Sequence, residues 1–312
     1  MLIDARGTVV VSSLGWVDRG GLWVLRVADG RETRVALSEA EWLSLHPGRD
    51  DHLAVMHHFE GGRVEITVHA LGDPAAILGR AVLAAGGGPV DGAAATWARV
   101  PAYYTAYCRE AAWADYGLVR VDAAAGRVEA QRLEWYDEAY DKDYQGIVGV
   151  AEVPGQDLVI VSVQRNSQPV LYDPVARRKV GVIDLAGHLG NPTLRFRRHA
   201  RELWADDYDV LVKLEPGTWR RLGARRLQSA TAGSGAFIGP FCFDAEETLC
   251  VVPRPYSGDV LALDPRTMRK RFRARTGGQP LDAMALPDGS VVAREWKTGA
   301  LLRGPLKRIW LW

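Results

Sequence analysis

The chain has 312 residues, with 39 Lys plus Arg against 38 Asp plus Glu, a formal charge of +1, and 47% hydrophobic against 25% charged residues. That is the balance of a folded globular protein with material for a large core, and it lacks the basic excess that binding to duplex nucleic acid or an anionic bilayer demands. Three cysteines, Cys108, Cys242 and Cys250, fit neither a zinc-ligand spacing nor a disulfide framework, so a reducing compartment is expected.

The N-terminal MLIDARGTVVVSSLGW has no basic start followed by a long apolar run, so no secretory signal or presequence is expected and the protein is placed in the cytoplasm. The longest uncharged stretch, Leu227 to Phe243, is rich in Gly, Ser, Thr and Ala and contains Pro240. It is poor material for a membrane span.

Along the chain one pattern returns: an apolar strand, a turn opened by an acidic residue, and a second strand. It reads Leu22-Trp-Val-Leu-Arg-Val-Ala-Asp-Gly30, Leu118-Val-Arg-Val-Asp122, Leu171-Tyr-Asp-Pro-Val-Ala-Arg-Arg-Lys-Val180 and Leu261-Ala-Leu-Asp-Pro-Arg-Thr-Met-Arg-Lys270. The acidic residue falls at Asp29, Asp73, Asp122, Asp173, Glu215 and Asp264, with a last copy near Gly304. An aspartate suits the place because its side chain bonds backbone amides two residues on.

Two more turn series run in phase. One is Asp18-Arg-Gly-Gly21, Glu60-Gly-Gly62, Asp115-Tyr-Gly117, Asn166-Ser167, Asp206-Asp207, Ser257-Gly258 and Lys297-Thr-Gly299. The other is Ala5-Arg-Gly7, Pro47-Gly48, Arg109-Glu110, Pro154-Gly155, His199-Ala200, Asp244-Ala245 and Pro287-Asp-Gly289. Three turns per repeat require four strands, and such units of about 40 to 50 residues are propeller blades. The expected fold is all-β: a single domain over 1–312, a seven-bladed β-propeller of four-stranded antiparallel blades around a central channel. Approximate blade limits are 1–38, 39–84, 95–132, 143–184, 190–222, 233–274 and 279–312. Ring closure is expected to bring the first strand, near Leu2-Ile3, beside a last blade whose outer strand is Lys307 to Leu311, so that losing this tail opens the ring.

The copies around Asp173 and Asp264 resemble the repeats of YVTN-type and quinoprotein-like seven-bladed propellers, in which an aspartate begins the outer hairpin. The Trp-Asp dipeptides, Asp-boxes and double-glycine series of other propeller families are missing. The resemblance implies a fold and no activity.

In such blades the turn between the second and third strands shares one end of the ring with the linkers between blades, and long linkers at Ala84 to Tyr103, Glu134 to Gly146, Gly223 to Pro240 and Arg275 to Asp282 make that end the expected binding face. Arg165, Arg254 and Arg294 take nearly the same step at the end of a second strand; His57 and His58 take it in the second blade, with Trp113 and Trp204 nearby. Guanidiniums converging on one mouth suit a carboxylate, sulfate or phosphate; alternatively each pairs with an acidic neighbour such as Asp206, Asp207 or Glu295 and staples blades together. Trp135, Tyr136 and Tyr256 are aromatic candidates for the same face, where they would stack on a ligand or simply cover a blade end. Asp141, Asp143 and Glu152 approach a calcium-loop spacing, but Gln145 breaks it and no flanking helices are expected. No cofactor is otherwise expected.

His57, His58, His188 and Tyr144 are the candidate acid-base residues. No nucleophile elbow, Walker sequence or dinucleotide fingerprint occurs. The reading is a ligand- or partner-binding propeller with an arginine-lined mouth for an anionic small molecule, glycan or peptide, or a protein partner. The alternative is a cofactor-free lyase or hydrolase using the same mouth.

Overall fold

The computed structural model describes the chain apart from residues 5, 41, 48–51, 60–63, 84–101, 107–116, 123–126, 133–146, 164–167, 186–192, 198–199, 228–236 and 310–312. Sheet one contains β1 (Leu2–Ile3), β2 (Val9–Ser12), β3 (Gly21–Arg26) and β4 (Glu32–Ala36), with a one-turn helix α1 (Gly15–Asp18) between β2 and β3. Sheet two follows with β5 (Trp42–Pro47), β6 (His52–His58), β7 (Val64–Ala70) and β8 (Asp73–Leu83). Sheet three has three strands, β9 (Ala102–Ala106), β10 (Gly117–Asp122) and β11 (Arg127–Arg132).

Sheet four comprises β12 (Ile147–Glu152), β13 (Val159–Val163), β14 (Val170–Asp173) and β15 (Arg178–Val182). Sheet five comprises β16 (Leu194–Arg197), β17 (Glu202–Asp207), β18 (Val210–Leu214) and β19 (Arg221–Arg226). Sheet six is built on β20 (Cys242–Phe243), β21 (Cys250–Arg254), β22 (Asp259–Leu263) and β23 (Lys270–Arg275), and sheet seven on β24 (Pro280–Ala285), β25 (Ser290–Glu295) and β26 (Leu301–Pro305). Every pairing is antiparallel between strands adjacent in sequence, except that the final strand β27 (Lys307–Arg308) adds to β23.

This is an all-β propeller of mainly four-stranded antiparallel sheets. The expectation of seven uniform blades is corrected: six blades are described with their side chains, and β9–β11 by backbone pairing alone. The expected ring closure is corrected as well. After Pro305 the chain crosses to the neighbouring sheet, where Arg308 faces Phe272 and Lys307 faces Arg273, so the tail caps the outer edge of sheet six and leaves sheet seven with three strands.

The turn chemistry explains why these short segments form hairpins. Asp173 Oδ1 accepts the amides of Val175 and Ala176 at 3.0 and 2.8 Å, and Asp264 Oδ1 those of Arg266 and Thr267 at 2.8 and 3.2 Å. Four residues after each acidic residue the chain enters the left-handed region, at Arg177, Trp219 and Met268, with φ of 53°, 57° and 56°. The aspartate or glutamate thus holds a turn that a non-glycine residue closes at some cost.

Between the turns, central strands are apolar on both faces. All five residues of β21 and of β22 are buried, because the sheet is covered on both sides by its neighbours. The outer strand β15 is exposed at Arg178, Lys179 and Val180. Apolar clusters join consecutive sheets: Leu171 and Ile160 with Leu203 and Val212, then Trp204 and Leu211 with Val252 and Leu261. Val10 and Leu25 of sheet one meet Val292 and Ala283 of sheet seven in a further cluster that includes Val251 and Val260. The ring is therefore closed by packing between the first and last sheets. Among the described residues no helix is long and apolar enough to cross a membrane.

Candidate functional site

The second-to-third-strand turns carry an aromatic residue in sheet after sheet. Phe59 follows β6, Tyr208 follows β17, Tyr256 lies just past β21, and Trp296 follows β25. Phe237, from the linker preceding β20, sits among the last three. Its ring centroid is 6.5 Å from Tyr208, 5.6 Å from Tyr256 and 5.1 Å from Trp296, and the latter two contacts are edge-to-face.

Backbone bonds fix this linker from two sides: Ile238 N–H donates to the Tyr208 carbonyl at 2.8 Å and Gly239 N–H to the Pro253 carbonyl at 2.9 Å. Trp296 N–H is held separately by the Gln279 carbonyl at 2.9 Å. Gly239 is required here, since a Cβ would lie 2.1 Å from the Leu281 carbonyl oxygen. At these spacings Phe237 packs against all three rings, and the four form one largely apolar shelf. Tyr256 is 49% exposed on this shelf.

The two described arginines of the expected mouth are consumed inside the fold. Arg254 grips Asp259 with Nε and Nη2 at 2.7 and 2.6 Å and gives Nη1 to the Leu227 carbonyl at 2.7 Å. Arg273 shares the same carboxylate. Arg294 holds Asp18 through Nη2, donates Nε to the Gly299 carbonyl at 2.6 Å, and lies 5.4 Å over the Trp23 ring. Both guanidiniums are buried, at 8% and 2% exposure, so the convergence expected of them is corrected to stapling. Their partners are Asp259 and Asp18, not Asp206, Asp207 or Glu295; Glu295 is spent on the amides of Lys297 and Thr298 in its own turn.

Trp204 is corrected too. It is fully buried between sheets five and six, against Phe243 at 5.5 Å and beneath the Lys213 ammonium at 5.8 Å. A strand residue placed one step from the mouth in sequence points into the interblade core, because side chains alternate along a strand.

His57 belongs to a buried polar chain in sheet two. Its Nδ1 pairs with Ser38 Oγ and its Nε2 with Thr67 Oγ1, both at 2.7 Å, and Thr67 Oγ1 meets His69 Nε2 at 2.8 Å. Burial, reinforced by the neighbouring His69 and Arg80, lowers its pKa to about 4. It is a neutral imidazole, 1% exposed, and no solution species reaches it. His58 lies on β6 and Glu152 ends β12. Arg165, Trp113, Trp135, Tyr136, Tyr144, His188, Asp141 and Asp143 lie outside the described residues, and among those described no group of His, Cys, Asp or Glu is arranged to hold a metal ion.

A cation that the sequence reading passed over stands at the channel. Arg195, second residue of the inner strand β16, makes one hydrogen bond, from Nη1 to the adjacent Leu194 carbonyl at 3.1 Å, and no ion pair with any described residue. Desolvation pulls its pKa below the usual arginine value, against the charges of Asp206 and Asp282. Asp206 accepts the Thr193 amide. Asp282 accepts Ser12 Oγ at 3.2 Å and pairs with the terminal ammonium of Met1. Cys242 is a protonated thiol, its pKa raised to about 12 by burial. Arg195 could have been singled out only by knowing that the first strand of each sheet lines the channel; it follows no motif.

No protein-family model matches the chain, and no curated protein matches it. Solved structures do. The β-propeller domain of Cps50 (Swd1) from Myceliophteria thermophila superposes with a TM-score of 0.67 at 11% identity over 98% of this chain and 95% of that one. The periplasmic gluconolactonase PpgL of Pseudomonas aeruginosa gives 0.64 at 14% over 96% and 99%, and a protein from Lactobacillus plantarum 0.65 at 15% over 96% of each. At such identities the likeness establishes a β-propeller and nothing finer.

Proposed function

We propose that this protein is a ligand-binding propeller, and that its site is the end of the ring where the second-to-third-strand turns and the linkers meet. The observation that carries the reading is the Phe237, Tyr208, Tyr256 and Trp296 shelf. Four aromatic rings from three sheets and a linker are gathered at the rim, with Tyr256 open to solvent. Exposed aromatic clusters of this kind provide binding energy at little conformational cost.

The ligand is an anionic small molecule, glycan or peptide with a flat or apolar part that lies on the shelf. No cofactor is invoked, and the free, buried Cys242 and Cys250 suit a cytoplasmic home. The similarity to a gluconolactonase keeps a lyase or hydrolase at the same mouth as the alternative, but His57 and Cys242, buried and neutral, offer it neither base nor nucleophile.

The test is a thermal-shift screen of the wild type, Trp296→Ala and Tyr256→Ala against carboxylates, phosphates, uronic sugars and nucleotides. A compound that raises the wild-type midpoint should bind each variant about 10-fold or more weaker, roughly the loss of one stacking contact. Hits that bind all three proteins equally would place the site elsewhere.

A further inference from the structure

Sheets five and six leave a furrow between their outer strands, and the pairing register decides what lines it. Residues directly opposite one another on antiparallel strands share a face. Arg225 of β19 stands opposite Leu211, which packs in the apolar cluster joining sheets five and six. Arg273 and Lys270 of β23 stand opposite Leu261 and Leu263 of that same cluster. Arg225 therefore faces sheet six, and Lys270 and Arg273 face it from the other side. Lys307 of β27, opposite Arg273, and Arg275, opposite Asp259, extend the cationic face of sheet six.

The two walls of the furrow meet at one end. A Cβ on Gly223 of β19 would lie 2.8 Å from Met268 Sδ in the turn that opens β23. Arg225 and Lys270 each follow this contact by two residues, on the fourth strands of adjacent sheets. Arg225, Lys270 and Arg273 are half-buried there. Lys270 also feels the charge across the furrow: burial first, then Arg254 and Arg225, hold its pKa below the usual lysine value.

The carboxylates on the facing elements are engaged elsewhere. Asp259 is shared by Arg254 and Arg273. Asp209 pairs with Arg226 at 3.2 Å, Asp264 holds the amides of its own turn, and Glu202 meets Lys213 at 3.3 Å and Arg197 at 3.4 Å. Among the described residues, the side chains of Arg225 and Lys270 make no hydrogen bond and no ion pair. Cations on an outer strand can simply guard the edge of a sheet, but that role asks only that they face water. Here like charges from two sheets are turned toward each other and partly sunk between them.

We propose that this furrow binds the dianionic phosphate of a small phosphate monoester, with the guanidiniums of Arg225 and Arg273 and the ammonium of Lys270 as its ligands. The excess of cations over the single inward carboxylate, Asp259, suits two negative charges better than one, and guanidinium forks match phosphate oxygens. The contact of Gly223 with Met268 closes one end of the furrow, which fits a single group, and a chain of net charge +1 exerts no long-range pull on a nucleic-acid strand. The site shares no residue with the aromatic shelf and stands independently of the binding reading above.

The experiment follows melting midpoints in titrations with inorganic phosphate, glycerol phosphate, dimethyl phosphate and chloride, at constant ionic strength and about pH 8, where a phosphate monoester is a dianion. The wild type should show a saturable rise of roughly 2 °C or more with phosphate and glycerol phosphate, while dimethyl phosphate, a monoanion, follows chloride. Arg225→Gln and Lys270→Gln should each need about 10-fold or more phosphate for the same rise, the loss of one charge-assisted contact. Lys270→Arg should keep the response. So should Arg221→Gln, which removes the same charge from the opposite face of β19, where Arg221 stands across from Leu214 in the cluster shared with sheet four. Trp296→Ala should also keep it.

A wild type without a saturable phosphate response overturns the furrow site, as do glutamine variants that respond like the wild type. An Arg221→Gln protein that loses as much as Lys270→Gln overturns it too, since the effect would then be screening of the whole edge. Loss of the response in Trp296→Ala would move the phosphate to the aromatic shelf, and a dimethyl phosphate response equal to that of phosphate would overturn the dianion. Arg225 and Lys270 belong to different sheets, so if one variant fails to fold the other decides. Failure of both to fold would make these cations structural and overturn the site.

Discussion

Asp18 and Arg294 are 276 positions apart and form a buried ion pair, with the one nitrogen Arg294 Nη2 at 2.9 Å from Oδ1 and 3.2 Å from Oδ2. The pair joins α1 of sheet one to β25 of sheet seven, and so closes the ring where no strand does. Asp18 also accepts the Leu14 amide at 2.6 Å, which holds the helical turn in position for the contact. Gly299 completes the joint with a φ of +67°; a Cβ there would lie 2.6 Å from Val17 Cγ1 and 2.8 Å from Arg294 Nη2.

Arg294→Met leaves the Asp18 carboxylate buried without its partner, and breaking a buried pair from one side costs about 3–5 kcal/mol. Urea denaturation should show a loss of that order, and Gly299→Ala should destabilise through the same joint. A loss below about 1 kcal/mol for Arg294→Met would mean that the apolar contacts of Val10 and Leu25 with sheet seven close the ring unaided.

Asp259 is fully buried between Arg254 and Arg273. Asp259→Asn should destabilise by about 3 kcal/mol or more, because two guanidiniums lose one shared countercharge. Arg254→Met should follow it. The two variants can be ranked in a single set of melts.

His57 ties stability to pH. Its folded-state pKa is lowered to about 4 by burial, while an unfolded histidine titrates near 6.5. Between those values the unfolded chain binds the proton and the folded chain does not, so stability rises with pH across the window. The contribution is complete above about pH 6.5 and is lost as pH falls toward 4, by roughly 2–3 kcal/mol. His69 shifts in the same direction, also through burial. Unfolding free energies measured at pH 8, 6 and 5 should fall more steeply for the wild type than for His57→Gln; parallel curves would assign the acid sensitivity to other groups.

Removing residues 307–312 should leave the ring closed. The deletion strips β27 from β23 and frees the bond from Ile309 N–H to the Arg271 carbonyl, a loss of about 1–3 kcal/mol on the scale of a few net hydrogen bonds. Circular dichroism should keep its strand signature with a modestly lower midpoint. Loss of the folded baseline would show that the tail is needed for closure after all.

The hairpins were legible residue by residue. Asp29, Asp173 and Asp264 each bond an amide two residues on, and Asp173 and Asp264 also bond one three residues on, a geometry contained within the turn itself. The exposure of Tyr256 was legible for a similar reason, because it follows a strand end. Trp204 was not, since the face it takes depends on strand register and on what sheet six brings against it. The arginines shared one sequence position and yet met different fates: Arg254 found Asp259 across its own hairpin, while Arg294 found Asp18 from the opposite end of the chain.

Turn-forming side chains act over two to four residues, and the spacing of those turns is written directly in the order of amino acids; that order alone was enough to determine a propeller of short antiparallel strands. Which charges are cancelled and which rings meet at the rim depend on contacts between sheets that are distant in the chain. Those were decided only when the ring closed, because a desolvated charge takes whichever acceptor the packing places within about 3 Å of it.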